Sequence, residues 1–198
     1  MNGITFERAD CMEKLPSFPD KFFDLAIVDP PYGIGVQTMN YTLSGARRVS
    51  RKSAANRRDY RRPDCWDIKP DQEYFDELQR VSKAQIIWGG NYFSDMLPPS
   101  KGFIVWDKRL DEKMSNDFAD AELAYISKGL GVARVFRYLW NGMLQGDMRN
   151  KEDRFHPTQK PVALYEWLLY HYAKKGYKIL DTHVGSGSSL IACYRGGV

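Results

Sequence analysis

Four short apolar runs, each cut off by turn-forming residues or by polar sequence, set the terms for any fold this chain can adopt. Phe23–Val28 ends at Asp29-Pro30-Pro31, and Gln85–Trp88 ends at Gly89-Gly90. Phe103–Trp106 and Tyr177–Leu180 complete the set. Runs this short and this nearly continuous suit strands covered on both faces, as in a parallel sheet. Helical patterns lie between them. Asp71–Val81 carries Tyr74, Phe75, Leu78 and Val81 three or four apart, the spacing of one helix face. Pro161–Ala173 opens on a proline and is followed by Gly176, which predicts a second helix. Strands alternating with helices imply an open α/β sheet. Ala121–Ile126 and Val132–Trp140 flank Lys128-Gly129-Leu130-Gly131, and there the pattern predicts an antiparallel hairpin.

The 198 residues suit a single domain spanning 1–198. Aromatic residues make up 14% of the chain, too many for a disordered one. One segment, about 36–64, breaks the α/β pattern and reads as a basic surface insertion. Arg47, Arg48, Arg51, Lys52, Arg57, Arg58, Arg61 and Arg62 crowd into it with Asp59 as the acid among them. With a net charge of +4, the chain leaves room for a polyanionic partner. The segment reads either as a contact for a polyanion, through phosphate neutralisation, or as a solvated loop. Cys11, Cys65 and Cys193 form no CxxC pair, and His156, His171 and His183 are not spaced as ligands. Reduced thiols and no metal are therefore expected. No apolar run approaches the ~20 residues of a membrane span, and Met1–Asp10 has no signal pattern, so a cytoplasmic protein without a membrane partner is expected.

Three segments carry chemistry. Asp29-Pro30-Pro31-Tyr32 directly follows a predicted strand, where ligands bind in open α/β sheets. A double proline makes a stiff turn that has carbonyl oxygens and no N–H. Carboxylate, carbonyl and aromatic ring together match an aminated heterocycle; the plainer reading is a strand-ending turn with a packed tyrosine. Asp181-Thr182-His183-Val184-Gly185-Ser186-Gly187-Ser188 follows Leu180. Its glycines let backbone approach a ligand before a helix start that favours anions; the plainer reading is a tight turn. It departs from the GxGxxG fingerprint and lacks the P-loop lysine, which argues against a nicotinamide enzyme. His156-Pro157-Thr158-Gln159-Lys160-Pro161 precedes the second helix and reads either as an anion contact or as a capping segment.

In this order, Asp-Pro-Pro-Tyr-Gly-Ile-Gly, His-Pro-Thr-Gln-Lys-Pro and Asp-x-x-x-Gly-Ser-Gly resemble the β class of DNA amino-methyltransferases, over about Ile4 to Cys193. The resemblance implies a circularly permuted, Rossmann-like, S-adenosylmethionine-dependent methyltransferase fold with a mostly parallel sheet. It implies DNA as partner, S-adenosylmethionine as cofactor, and transfer of a methyl group to the N6 amino group of adenine, in an enzyme of the solitary or restriction-modification kind. Relatives of this kind are often dimers, so a homodimer is a further expectation. Asp29, Pro30 and Tyr32 would hold and stack the target base, with Pro31 shaping the turn. Asp181, Gly185, Ser186 and Gly187 would surround the methionine part of the cofactor. Thr158 and Lys160 would approach its carboxylate, and Asp10 and Cys11 its adenine.

Cytosine-N4 relatives more often carry Ser where this chain has Asp29, which favours adenine and keeps N4-cytosine as the alternative. RNA is a third substrate, since related motifs occur in enzymes acting on it. Relatives continue beyond the helix that follows the glycine loop with a strand bearing a ribose-binding acid. This sequence ends at Arg195-Gly196-Gly197-Val198, so sheet-edge strands are expected to be missing at the C-terminus. A non-catalytic DNA-binding relative is the competing reading on that ground.

Overall fold

An interior strand, β1 (Leu25–Val28), is four apolar residues with all four buried, as a strand paired on both edges and covered on both faces must be. In the computed structural model, which describes residues 3–35, 67–109, 119–141, 144–154 and 158–197, β1 runs parallel to two neighbours. One is β2 (Gln85–Trp88), with Val28 opposite Ile87. The other is β8 (Ile179–Leu180), with Ala26 opposite Leu180. β4 (Ala121–Ile126) lies antiparallel to β2 and to β3 (Phe103–Asp107), and β5 (Arg134–Arg137) lies parallel to β3. The sheet order is β5-β3-β4-β2-β1-β8. This is a mostly parallel, Rossmann-like α/β sheet, in agreement with the open α/β sheet drawn from the apolar runs and with the fold that the resemblance implies.

Strand alternation splits the core into two layers. Ala26, Val28 and Ile87 face α2 (Gln72–Val81), whose Tyr74, Phe75, Leu78 and Val81 are all buried. Leu25, Ile27, Ile86 and Trp88 face α3 (Val162–Tyr172) and α4 (Ser188–Gly196). Both sequence-predicted helices form within a residue or so of their expected ends. Asp71 caps α2 by accepting the Tyr74 N–H, and Pro161 occupies the N-cap of α3. A short helix, α1 (Cys11–Lys14), is capped by Asp10 and leads into a 3-10 turn at Leu15–Ser17.

The predicted hairpin is corrected. Ala121–Ile126 is a strand, but the chain after it does not pair back onto it. β3 lies between β4 and β5. The intervening turn instead crosses the start of β3, where a Cβ on Gly102 would sit 2.9 Å from the Gly131 carbonyl oxygen. Gly129 and Gly131 have φ of 107° and 109°, a conformation glycine adopts freely. The turn forms as its residues predict, and the strand it delivers lands on the far edge of β3. Val132–Trp140 is also not one strand: β5 ends at Arg137, and Trp140–Asn141 (β6) pairs with Leu144–Gln145 (β7) in a separate ribbon. The basic segment with Arg47, Arg48, Arg51, Lys52, Arg57, Arg58, Arg61 and Arg62 lies outside the described residues, as do Cys65 and His156.

Phe75 is wholly buried where α2 meets the sheet, against Tyr74 and Phe93. Phe75→Ala is expected to cost roughly 3–5 kcal/mol, read as a lower urea midpoint at unchanged slope.

Candidate active site

Parallel pairing of β1 with β8 brings two distant segments to one edge of the sheet. Ala26 lies opposite Leu180, so Asp29 and Asp181 leave adjacent strands at the same end. The helices that follow these strands pack on opposite faces, α2 with one layer and α4 with the other. A crevice between divergent crossovers is where open α/β sheets bind ligands.

The Asp29 side chain is 19% exposed and is met by the Lys160 ammonium, Nζ 2.5 Å from Oδ1. The Tyr32 hydroxyl donates to the same oxygen at 2.8 Å and accepts from Lys160 Nζ at 3.1 Å. Among the described residues no hydrogen bond or ion pair falls on Oδ2. The Tyr32 ring is fixed in turn: it stacks on Tyr92 at 5.0 Å and presses on Gly89, where an added Cβ would lie 2.4 Å from Cε1. Burial, with the Asp29 and Glu122 carboxylates nearby, pushes the Tyr32 phenol well up, so it stays a donor.

Lys160 has 3% of its side chain exposed and lies 5.5 Å from the Tyr32 ring centroid and 5.3 Å from that of Trp88, within cation–π reach. Glu122, on β4, is its second counter-ion at 3.4 Å, and Lys108 sits 3.1 Å from the other Glu122 oxygen. Burial opposes charge on Glu122, but Lys160 and Lys108 outweigh it and hold the carboxyl below its ordinary range. Burial likewise opposes charge on Lys160, and Asp29 and Glu122 together push its amine up. The backbone before α3 is held by a polar lattice. Trp140 Nε1 donates to the Gln159 carbonyl at 2.8 Å, and Gln159 Nε2 to that of Asp153 at 3.0 Å. Glu152 accepts the Val162 N–H, substituting for the absent side-chain cap.

The second segment folds as a self-bonded loop. Asp181 Oδ1 accepts the His183 N–H at 2.9 Å and Oδ2 the Ser189 hydroxyl at 2.6 Å. Burial pushes the Asp181 carboxyl up to about 6 despite those donors. Gly185 and Gly187 have φ of 55° and 81°, and a Cβ at Gly187 would meet nothing within 4 Å. Gly187 caps α4 without a side chain, which leaves N–H groups of the first turn for a partner. Tyr74 Oη and Thr182 Oγ1 share a hydrogen bond at 2.7 Å, and Thr182 Oγ1 meets His183 Nδ1 at 2.9 Å. Burial holds His183 down at about 4, although Asp29 and Asp10 pull the other way.

The structure therefore brings Asp29, Tyr32 and Lys160 into direct contact, with Asp181, Gly185, Ser186 and Gly187 on the neighbouring strand end. Asp10 lies close enough to act on His183, and Cys11 on Tyr74. The Cys11 thiol is raised by burial and by Asp10, which keeps it protonated. Pro30 is buried and Pro31 partly so, while Thr158 is exposed. Lys160, expected at a cofactor carboxylate, is engaged by Asp29 and Glu122. Sequence reasoning missed Glu122, Lys108 and Tyr92. Glu122 had a signal: it shares a strand face with Ala124 and Ile126, where an apolar residue is the rule. Among the described residues no cluster of three or more His, Cys, Asp or Glu is placed to hold a metal, and no helix is long and apolar enough to cross a membrane.

Comparison with known proteins adds four findings. The N6/N4 methyltransferase family model, described as DNA methylase, matches residues 131–197. YubD of Escherichia coli (strain K12), a methylase by name, is 26% identical over 97% of this chain and 80% of its own. Type II methyltransferase M2.DpnII of Streptococcus pneumoniae is 28% identical over 64% of this chain and 46% of its own. A crystal structure of the M1.HpyAVI-SAM complex is 17% identical, covering 96% of this chain and 87% of that one at a TM-score of 0.49. That last likeness is too distant to bear on the reading.

The partly buried His183 ring gives a pH signature. The folded chain keeps His183 neutral down to about 4, against an ordinary value of 6.5. The unfolded chain therefore takes up a proton first, and His183 withdraws stability as pH falls from 6.5 through 4. Asp181, raised from 3.8 to about 6, acts in the opposite sense, adding stability as pH falls through that window. In His183→Gln the withdrawal is gone, so the Tm of the variant minus that of the parent should climb between pH 6.5 and 4. A difference that stays flat with pH would sink the assignment.

Proposed function

We propose that this chain is an S-adenosylmethionine-dependent DNA amino-methyltransferase that methylates the N6 amino group of adenine. One observation carries the reading. Asp29 follows β1 with one oxygen saturated by Lys160 and Tyr32, while the other has no partner among the described residues. The glycine loop opens on the adjacent strand end. A strand-end carboxylate in a merely structural turn has no reason to keep an oxygen available beside an open, uncapped helix start. The DNA methylase family match over 131–197 and the near full-length similarity to YubD support the class. Asp29 in place of Ser supports adenine over cytosine.

The residues present fit the cofactor. Open space at Gly187, with a Cβ at Gly185 meeting only the His183 carbonyl oxygen at 3.8 Å, admits its methionine part, and the uncapped N–H groups of α4 suit a carboxylate. Asp10 and Cys11 lie on the α1 side of the crevice, toward the cofactor's adenine. When bound, S-adenosylmethionine supplies a methyl group on a positively charged sulfur.

The chain's task is to make an adenine amino group nucleophilic and to aim it. That nitrogen is a poor nucleophile because its lone pair is delocalised into the ring. Asp29 Oδ2 and the Pro30 carbonyl accept its two N–H bonds and return electron density to it. S-adenosylmethionine would supply the methyl group and be left as the neutral thioether, and Asp29 Oδ2 would take the surplus amino proton and pass it to water. Positioning and fixed electrostatics account for most of the acceleration. The base reaches this site only when flipped out of the duplex, at a cost of about a few kcal/mol. Stacking on the Tyr32–Tyr92 pair, whose Tyr92 is 39% exposed, offsets roughly 1–3 kcal/mol of that. Arg47 to Arg62 supply phosphate contacts by charge alone.

Incubated with labelled S-adenosylmethionine and unmethylated genomic DNA, the chain should place label on adenine by nucleoside analysis. Asp29→Asn should lower transfer by about 100-fold or more, with the fold kept by circular dichroism. Label on cytosine would replace adenine by the N4 alternative; no label from a folded chain would leave DNA binding without catalysis. Separately, replacing Arg57, Arg58, Arg61 and Arg62 by Ala should weaken DNA binding. It should also flatten the dependence of log affinity on log salt, by about 0.9 in slope for each phosphate the variant no longer neutralises. An unchanged slope would assign those arginines to solvent.

A further inference from the structure

Four charges alternate in one line from β3 to the end of β1: Lys108, Glu122, Lys160 and Asp29. The contacts are 3.1 Å, 3.4 Å and 2.5 Å. Side-chain exposures are 16%, 28%, 3% and 19%, so the line is largely enclosed, and only its last member stands in the proposed chemistry. Stability does not account for it. Buried ion pairs contribute little net stability, and replacing them by apolar residues is often neutral or favourable. Glu122 occupies a strand position whose same-face neighbours, Ala124 and Ile126, are wholly buried and apolar. An aliphatic side chain there would continue the core.

We infer that Glu122 is a positioning residue: it holds Lys160 against Asp29 Oδ1, so that Asp29 presents Oδ2 alone to the substrate amine. The inference rests on the proposed reaction for its purpose but on the ion geometry for its content. Lys160 has flexible methylenes and would otherwise be free to follow any anion in the crevice, including a ligand's carboxylate. Glu122 anchors the ammonium from the β4 side, and Lys108 keeps Glu122 ionised and turned inward. The flat rings of Tyr32 and Trp88 confine Lys160 from its remaining sides. With Lys160 and the Tyr32 hydroxyl both on Oδ1, rotation of the Asp29 carboxylate would break two charge-assisted contacts at once. The acceptor is thus preorganised before substrate arrives, which is where such sites gain rate.

The experiment pairs kinetics with structure. Glu122→Gln should lower kcat for methyl transfer about tenfold or more, with KM for S-adenosylmethionine and for DNA within about twofold of the parent. Glu122→Asp, which keeps the charge, should recover most of that loss. In a crystal structure of Glu122→Gln, Lys160 Nζ should lie beyond about 3.5 Å from Asp29 Oδ1, outside hydrogen-bond range. Unchanged kcat would overturn the inference, as would a rise in the cofactor KM in place of the kcat loss, or a Lys160 amine that has not moved. If the parent chain transfers no methyl group, the proposed function fails instead, and the crystal structure still decides whether Glu122 positions Lys160.

Discussion

A lysine ammonium with 3% of its side chain exposed must be met by negative charge, because an unpaired charge in a protein interior is too costly to keep. Lys160 draws its two counter-ions from different strands: Asp29 from the end of β1 and Glu122 from β4. It is itself delivered by the segment that leads into α3. Three parts of the chain far apart in sequence must therefore meet at one nitrogen. Removing one partner of such a pair costs roughly 3–5 kcal/mol, comparable to a large share of a domain's net stability. The site and the fold are in this sense one construction: the same contacts that aim Asp29 fix how α3 sits on the sheet.

The sheet makes that meeting geometrically available. Because β1 is paired on both edges with parallel neighbours, the carboxyl ends of β2, β1 and β8 stand side by side. Each ends in a segment unfit to continue a strand: Gly89-Gly90, Asp29-Pro30-Pro31 and the loop after Leu180. Gly89 has no side chain, which admits the Tyr32 ring at a distance no Cβ would allow. Tyr32 can then donate to Asp29 and stack on Tyr92 at once. A glycine on one strand end thus sets the orientation of an aromatic ring on the next.

Much of this is legible in the sequence, and the exceptions share a cause. β2 has the bounds its apolar run suggests, and Asp71 and Pro161 stand at the caps of their helices. Those features are local: run length, helical periodicity and turn chemistry lie within a dozen residues. The hairpin expectation fails because pairing partners are not local. Gly129 and Gly131 signal a turn, but nothing in their neighbourhood says that β3 will lie between the strands they join. Glu122 escapes notice for the same reason. It is one acid in an otherwise apolar strand, and its meaning appears only when Lys160, 38 positions on, is found across from it. Asp29 and Tyr32 can be singled out because their roles are compressed into one tetrapeptide.

The two carboxylates at the strand ends show how one edge supports two tasks. Asp181 spends both oxygens inside its own loop, on the His183 N–H and the Ser189 hydroxyl. Its neutral donors do not offset burial, and its carboxyl is pushed up to about 6. Asp29 spends one oxygen, on a cation and a phenol. A carboxylate whose lone pairs are consumed by backbone and hydroxyl shapes a loop; one pinned by a cation on a single oxygen keeps an acceptor for something that arrives. Were the partners exchanged, the loop would lose the bonds that close it around Gly185 and Gly187, and the β1 end would lose its accessible oxygen. The division of labour follows from which donors each strand end meets. It places the shaping group next to the glycines and the accepting group next to the stacked tyrosines.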